Sequence, residues 1–460
     1  MPALAPDLPV AVAPSIPEGG LRFMLRALRH RNYRLYFTGQ GLSLIGTWLT
    51  TTATSWLVLR LAPTSGFFTV AVLLGIVRFS AQIPMSALAP FAGVFVDRIN
   101  RHRILVITQS LSMLQSVALA IPTFTGQITV GYVIALSIFQ GLINAFDAPA
   151  RQAFVVELVE ERNDLPNAIA LNSTMFNGAR LLGPAVGGLI IATVGEAFCF
   201  TIDAVSYFAV LVALLMMRLR PRVLEPHPHG PWKDLREGFA YAAGFPPVRA
   251  LLLIAALVSF MLSIYQTLLP LFADAVAAPG HGAAVFGFLG AAAGLGALAA
   301  AIYLTSRRSV AGLGRVIALA TALAGVALLG FTATRSLPMM YLTSIAAGFG
   351  LIVTFASCNT LLQTLVDDHL RGRLMGFYVV AVMGAAPLGS LAAGWLSNRL
   401  DESWAVALAG GSCIVGALLF YLNLPSLRDL VRPIYIKKGI LPEVATGLAH
   451  ADRLHTADEG

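Results

Sequence analysis

Arg78, Arg180 and Asp203 each stand in the middle of an apolar run, and these three side chains are where the sequence offers chemistry. A charge at mid-depth in a bilayer costs about 2.5 to 3.5 kcal/mol on an insertion scale, so it faces water, a partner or cargo. Counting about 1.5 Å per helical residue puts Asp203 roughly 9 Å and Arg78 roughly 15 Å below one membrane face. That reach makes a buried Arg78–Asp203 ion pair the structural expectation. In the functional alternative Asp203, the only acid well inside such a run, carries a proton, because a carboxyl withdrawn from water is poised to gain and lose one. Arg180 then becomes a contact for anionic or hydrogen-bond-rich cargo.

Other chemistry is sparse. Cys199, Cys358 and Cys413 are far apart and embedded in apolar sequence, matching neither a disulfide frame nor metal-ligand spacing. The eight histidines fall in tails or loops. His227 and His229, in a proline-rich stretch, read as a solvated linker, so no metal and no cofactor is expected. No Gly-x4-Gly-Lys-Ser/Thr loop is present to cradle ATP. A membrane-embedded lipid or prenyl transferase, the rival of another class, needs two acid clusters to hold a metal diphosphate. Asp367-Asp368 is the only adjacent aspartate pair.

These residues need a scaffold suited to lipid. Of 460 residues, 57% are hydrophobic and 12% charged, too little charge for a soluble surface and too apolar for a disordered chain. Windows of about 19 residues give twelve spans: 34–61, 68–96, 103–123, 128–146, 167–194, 197–218, 248–273, 282–305, 313–333, 337–362, 374–397 and 402–424. Each is long enough to cross about 30 Å as a helix. The expected fold is an all-α integral membrane protein with twelve transmembrane helices in two pseudo-symmetric six-helix bundles. The bundles occupy 34–218 and 248–424, and 1–33 and 425–460 are tails. The central loop 219–247 holds Trp232 to Ala243, which has the pattern of an amphipathic helix. Leu158-Val159-Glu160-Glu161 after span 4 recurs as Leu365-Val366-Asp367-Asp368 after span 10, a mark of internal duplication.

Basic residues set the orientation. Only Arg60, Arg335 and Arg399 fall on one side and Arg78 and Arg180 inside spans; the rest of the 31 lie on the opposite side, which predicts cytoplasmic termini. The net charge of +8 belongs to this topology, not to a nucleic-acid face. Residues 1–20, with five prolines and no basic leader, read as a flexible tail and not a signal peptide.

Between spans 2 and 3 runs Gly93-Val94-Phe95-Val96-Asp97-Arg98-Ile99-Asn100-Arg101-His102-Arg103. This resembles the major facilitator superfamily, whose loop between helices 2 and 3 reads Gly-x3-Asp-Arg-x2-Arg-basic. The resemblance implies that Asp97 faces the positive end of helix 11 near Leu374. It also implies that Arg98 or Arg101 pairs with Asp147 at the end of span 4, latching the cytoplasmic side. The equivalent loop after span 8 has Arg307 and Arg308 but lacks the Gly and Asp.

Span 5 contains Ala179-Arg180-Leu181-Leu182-Gly183-Pro184-Ala185-Val186-Gly187-Gly188. It resembles the Gly-Pro-x2-Gly-Gly signature in helix 5 of exporters and antiporters of the superfamily. Ala179, Gly183 and Gly187 share one face, and Pro184 interrupts the backbone ladder. Span 8 carries Gly287, Gly290, Gly294 and Ala297 at three- and four-residue steps on one face. Gly294 and Gly183 both lie roughly 16 to 18 Å deep, so spans 5 and 8 are predicted to touch.

The stretch Phe139 to Leu215 holds Gln140-Gly141, Pro149-Ala150-Arg151-Gln152 and Leu165-Pro166-Asn167-Ala168. With Asn32-Tyr33-Arg34 and Gly39-Gln40, it resembles the branch containing enterobactin-type siderophore exporters and macrolide-efflux-like proteins. Many drug–proton antiporters have Arg-x2-Gln-Gly in helix 4. This chain has Ser137-Ile138-Phe139-Gln140-Gly141, so a relay through that arginine is excluded.

Polar stripes run along span 1 (Gln40, Ser43, Thr47, Thr50, Thr51, Thr54), span 4 (Ser137, Gln140, Asn144), span 7 (Ser259, Ser263, Gln266) and span 10 (Thr343, Thr354, Ser357). In the superfamily these four helices surround a central cavity. Span 3, peripheral by analogy, is equally polar with Gln109, Ser112 and Gln115, so a stripe can instead be interhelical hydrogen bonding. The resemblance implies a monomer in a bacterial inner membrane. It would export a small amphipathic organic molecule, a siderophore, antibiotic or drug, by alternating access with protons as coupling ion. Facilitated uniport or import is the alternative.

Overall fold

The computed structural model describes residues 25–62, 69–218, 244–307, 309–366 and 368–437; the side chain of Asp97 and the stretch 232–243 lie outside the described residues. Lipid offers no partner to a backbone amide, so an apolar chain closes its hydrogen bonds within helices. Among the described residues there are twelve helices long and apolar enough to span a membrane. They are α1 (Arg31–Leu61), α2 (Val70–Arg98), α3 (Arg101–Phe124), α4 (Val130–Glu157), α5 (Leu165–Val194), α6 (Glu196–Leu215), α7 (Pro246–Val276), α8 (Gly282–Ser306), α9 (Leu313–Thr332), α10 (Leu337–Leu365), α11 (Asp368–Leu400) and α12 (Glu402–Lys437).

Polar side chains mark the breaks. Asn100 caps α3 by accepting from the Arg103 amide, and Thr129 caps α4 by accepting from Tyr132. Gly195, at φ 94°, turns α5 into α6 with a backbone conformation that needs no Cβ.

Within the first half α1 packs on α5 and α6, α4 on α2 and α3, and α3 on α6. The second half repeats these pairings six helices later: α7 on α11 and α12, α10 on α8 and α9, and α9 on α12. The halves meet through α2 with α11 and α5 with α8, two contacts that the same six-helix shift exchanges. The outer surface carries Leu215, Leu253, Leu319 and Trp404, as a lipid-facing surface should.

Three boundaries differ from the hydropathy reading. Helix α4 runs through Pro149 to Glu157, and α12 runs through Pro425 and Pro433 to Lys437, because their last turns are amphipathic and fall below an apolar window. Before α1, a 3₁₀ helix at Arg26–Arg29 is docked, not free. Ala27 is fully buried and its amide donates to Asn167 Oδ1 at 2.9 Å.

Candidate functional site

Two seams join the halves, and both are tight only away from the basic loops. On the α5–α8 seam, a Cβ built on Gly188 would lie 2.5 Å from the Ala283 carbonyl oxygen and 2.8 Å from Gly287 Cα. One on Gly290 would meet Pro184 Cβ at 2.9 Å, and one on Gly294 would meet Leu181 Cα at 2.9 Å. Pro184 has no N–H, so the Arg180 carbonyl lacks its helical donor; Gly294 packs against that same oxygen. Trp56 of α1 stacks on Phe286 of α8, with ring centroids 6.2 Å apart. On the α2–α11 seam, Gly75 packs on the Ser390 carbonyl and Gly394 on Val72.

Toward the basic loops the seams part. Ser86 of α2 donates to the Met383 carbonyl of α11 at 2.7 Å, near mid-helix. Beyond that, a Cβ on Gly93, Gly178, Gly372 or Gly376 would meet nothing within 4 Å among the described residues.

Between the seams lie two adjoining cavities of about 90 and 170 Å³. Arg78, Arg180 and Gln266 line both. The smaller adds Trp48, Thr51, Ser55, Tyr265 and Phe286, and the larger adds Gln82, Ser259, Ser263 and Phe355. No carboxylate lines either one among the described residues. A larger cavity of about 400 Å³ lies under the end of α12, walled by aliphatic side chains with Arg428, Asp429 and Arg432. It is off the seam between the halves.

Arg78 does not pair with Asp203. It reaches across to α7, donating from Nη1 to the Gln266 carbonyl at 3.2 Å and from Nη2 to Gln266 Oε1 at 2.6 Å. That carbonyl is the one Pro270 leaves without a helical N–H. Arg180 lies over the Trp48 ring, 5.9 Å from its centroid, within cation–π range. Asp203 sits behind α1, 1% exposed, where Oδ2 accepts from Thr50 Oγ1 of α1 and Ser116 Oγ of α3, both at 2.8 Å. Its Oδ1 has no hydrogen-bond partner among the described residues.

The chain has known relatives. The family described as transmembrane secretion effector matches residues 24–433, nearly the whole run of helices. The chain belongs to this family of major facilitator transporters. Its relatives include the staphyloferrin A transporter of Staphylococcus aureus, 25% identical over 84% of this chain and 95% of that one. The enterobactin exporter EntS of Shigella boydii is 26% identical over 73% and 79%. The multidrug efflux pump Tap of Mycolicibacterium fortuitum is 26% identical over 77% and 88%. Among solved structures, an auto-inhibited POT family peptide transporter has a TM-score of 0.70 at 14% identity, covering 86% of this chain and 97% of the other. A bacterial homologue of the human lysosomal transporter Spinster has a TM-score of 0.63 at 15% identity, covering 91% and 99%. Fold and relatives are those of transporters, not enzymes, and the chain is a multi-pass integral membrane protein.

Several residues take partners other than those the sequence implied. Asp147, 2% exposed, pairs with Arg151 one turn on and accepts from Thr108 and Gln109, both at 2.8 Å. Because α4 continues past it, Arg101 finds Glu157 instead, at 2.8 Å; Arg98 is exposed. Gly183 and Gly187 face Trp48, Leu49 and Thr52 of α1, not α8. Ala179 and Ala297 are buried. The stripes divide in the same way. Gln140 bonds Ser112 and Asn144, Thr47 bonds Ser43 and Tyr207, and Gln40 is buried. Ser259 donates to Val382 and Thr354 pairs with Thr321. Thr51 and Gln266 line the cavity. Trp48, Tyr265 and Phe286 are visible only in the structure, since an aromatic in an apolar span carries no sequence mark of facing a cavity.

Proposed function

We propose that the protein is a secondary transporter of the bacterial inner membrane, with both termini cytoplasmic, that exports a small amphipathic organic molecule by alternating access. The observation that carries this reading is the one-sided closure of the halves around a charged, aromatic cavity. The glycine seams are shut at the end away from the basic loops, and the matching faces stand apart at the other. The basic loops mark the cytoplasmic side, so the cavity faces cargo inside the cell. The named siderophore and drug transporters among the relatives support export of a siderophore, antibiotic or drug.

Protons are the proposed coupling ion. Each one moving down 100 mV releases about 2.3 kcal/mol. Asp203 would be the carrier, linked to the cavity through α1, where Thr50 holds Asp203 and Thr51 lines the cavity. Everted vesicles containing the protein should accumulate a fluorescent amphipathic dye when acidified inside, and a protonophore should abolish the accumulation. Uptake that ignores the protonophore rejects coupling. One observation favours uncoupled uniport as a second reading: no carboxylate lines the cavity among the described residues.

A further inference from the structure

We infer that the central cavity selects organic anions with an apolar, ring-bearing body, seated on Arg78 and Arg180, and that the anion takes Arg78 from Gln266. This rests on the transporter reading above. Two guanidiniums line the same two cavities. Among the described residues neither has an acidic partner, and Arg78 Nε has no hydrogen-bond partner. Buried like charges repel, and an uncompensated charge away from water is unfavourable. Asp203, the carboxylate that the sequence set within reach of Arg78, is held behind α1 by Thr50 and Ser116. The counter-charge must therefore come from what enters the cavity. A cation would be rejected by the same field.

The rest of the lining defines the body of the ligand. Trp48, Tyr265 and Phe286 give flat apolar walls beside the guanidiniums, suited to an aromatic ring. Guanidinium binds carboxylate through two parallel, charge-assisted hydrogen bonds, stronger than bonds to an amide. Arg78 now spends Nη1 and Nη2 on the Gln266 carbonyl and amide oxygens. A carboxylate on Arg78 would compete with both. Since Arg78 is on α2 and Gln266 on α7, that exchange loosens a bond between the halves when cargo arrives.

The test uses the full-length protein in lipid nanodiscs, with radiolabelled 2-naphthoate and its neutral analogue 2-naphthamide measured by equilibrium dialysis. The wild type should bind the acid at least tenfold more tightly than the amide. Arg180→Gln and Arg78→Gln should each reduce that preference at least fivefold, the double variant should abolish it, and Arg180→Lys should retain part of it. Naphthamide binding serves as the folding control, and if the variants do not fold the wild-type acid-to-amide ratio still decides. Equal binding of the two probes, absent naphthoate binding, or an unchanged preference in the double variant overturns the assignment. Transport of naphthamide with no preference for the acid overturns it while leaving the transport reading intact. Selective naphthoate binding without transport in proteoliposomes supports the anion seat and removes the transport reading.

Discussion

Asp203 is the residue whose role changes most between sequence and structure. Counting residues set Arg78 within reach of Asp203, but depth does not fix rotation about the helix axis. Arg78 turns toward the seam and α7, while Asp203 turns toward hydroxyls of α1 and α3. Arg78 and Arg180 were legible because a charge in an apolar run stands out; their aromatic neighbours did not. Hydrogen bonds between membrane helices contribute about 0.6 kcal/mol on average, up to about 1.7. Asp203→Leu leaves Thr50 and Ser116 without their acceptor and is expected to lower stability by about 1 to 3 kcal/mol. Asp203→Asn keeps one oxygen and should cost less than about 1 kcal/mol. Unfolding midpoints in detergent check this, and equal midpoints for the two variants would show that the hydroxyl clamp contributes nothing. On the coupling reading, Asp203→Asn also retains downhill transport but loses its response to a pH gradient.

At the scale of elements, the spans were legible because some 20 apolar residues in succession have few other uses. What hydropathy missed were the polar attachments. The 3₁₀ helix at Arg26–Arg29 is fixed by Asp164, which takes Arg26 at 3.1 Å, Arg29 at 2.9 Å and His30 at 2.9 Å. Five prolines upstream gave no hint of it, since the partner lies more than a hundred residues away. The two small-residue faces of α5 were likewise indistinguishable in sequence, and the structure assigns one to α1 and the other to α8. Burial works to raise the Asp164 carboxyl, but the His30 hydrogen bond and the charges of Arg29, Arg26 and His30 outweigh it and hold the carboxyl below the ordinary value of 3.8. A carboxyl depressed on folding stabilises the fold fully above its unfolded value, and that contribution fades as pH falls through the folded one. The Asp164 contribution to docking of residues 26–30 should therefore be lost only as pH falls below about 4. Hydrogen exchange of those amides, corrected for intrinsic rates, measures it; in Asp164→Asn the acid dependence should vanish.

For the whole molecule, the informative residues are glycines that touch nothing. Glycine inside a helix costs about 1 kcal/mol relative to alanine, and without a hydrophobic drive between helices in lipid, small residues serve chiefly to let backbones approach. Gly93 lies two turns beyond Ser86 on the same face of α2. Gly376 and Gly372 lie two and three turns before Met383 on the same face of α11, and Gly178 precedes Leu181 on the face of α5 that meets α8. All four stand open here, while Gly75, Gly188, Gly287 and Gly394 on the same helices are pressed against backbone. A rocking motion that closes the basic end would bring the open set into the role of the closed set. Leucine at Gly376 or Gly178 should then leave folding and the present conformation intact yet block transport, because the basic end cannot shut. Leucine at Gly188 or Gly287 should do the reverse, forcing the far seam apart. Single cysteines placed on the two seams and labelled with an impermeant maleimide from each side of the membrane would read both states. The first pair of variants should label only from the cytoplasmic side and the second pair gain labelling from outside. Transport at wild-type rate in Gly376→Leu would mean that the halves never approach at the basic end.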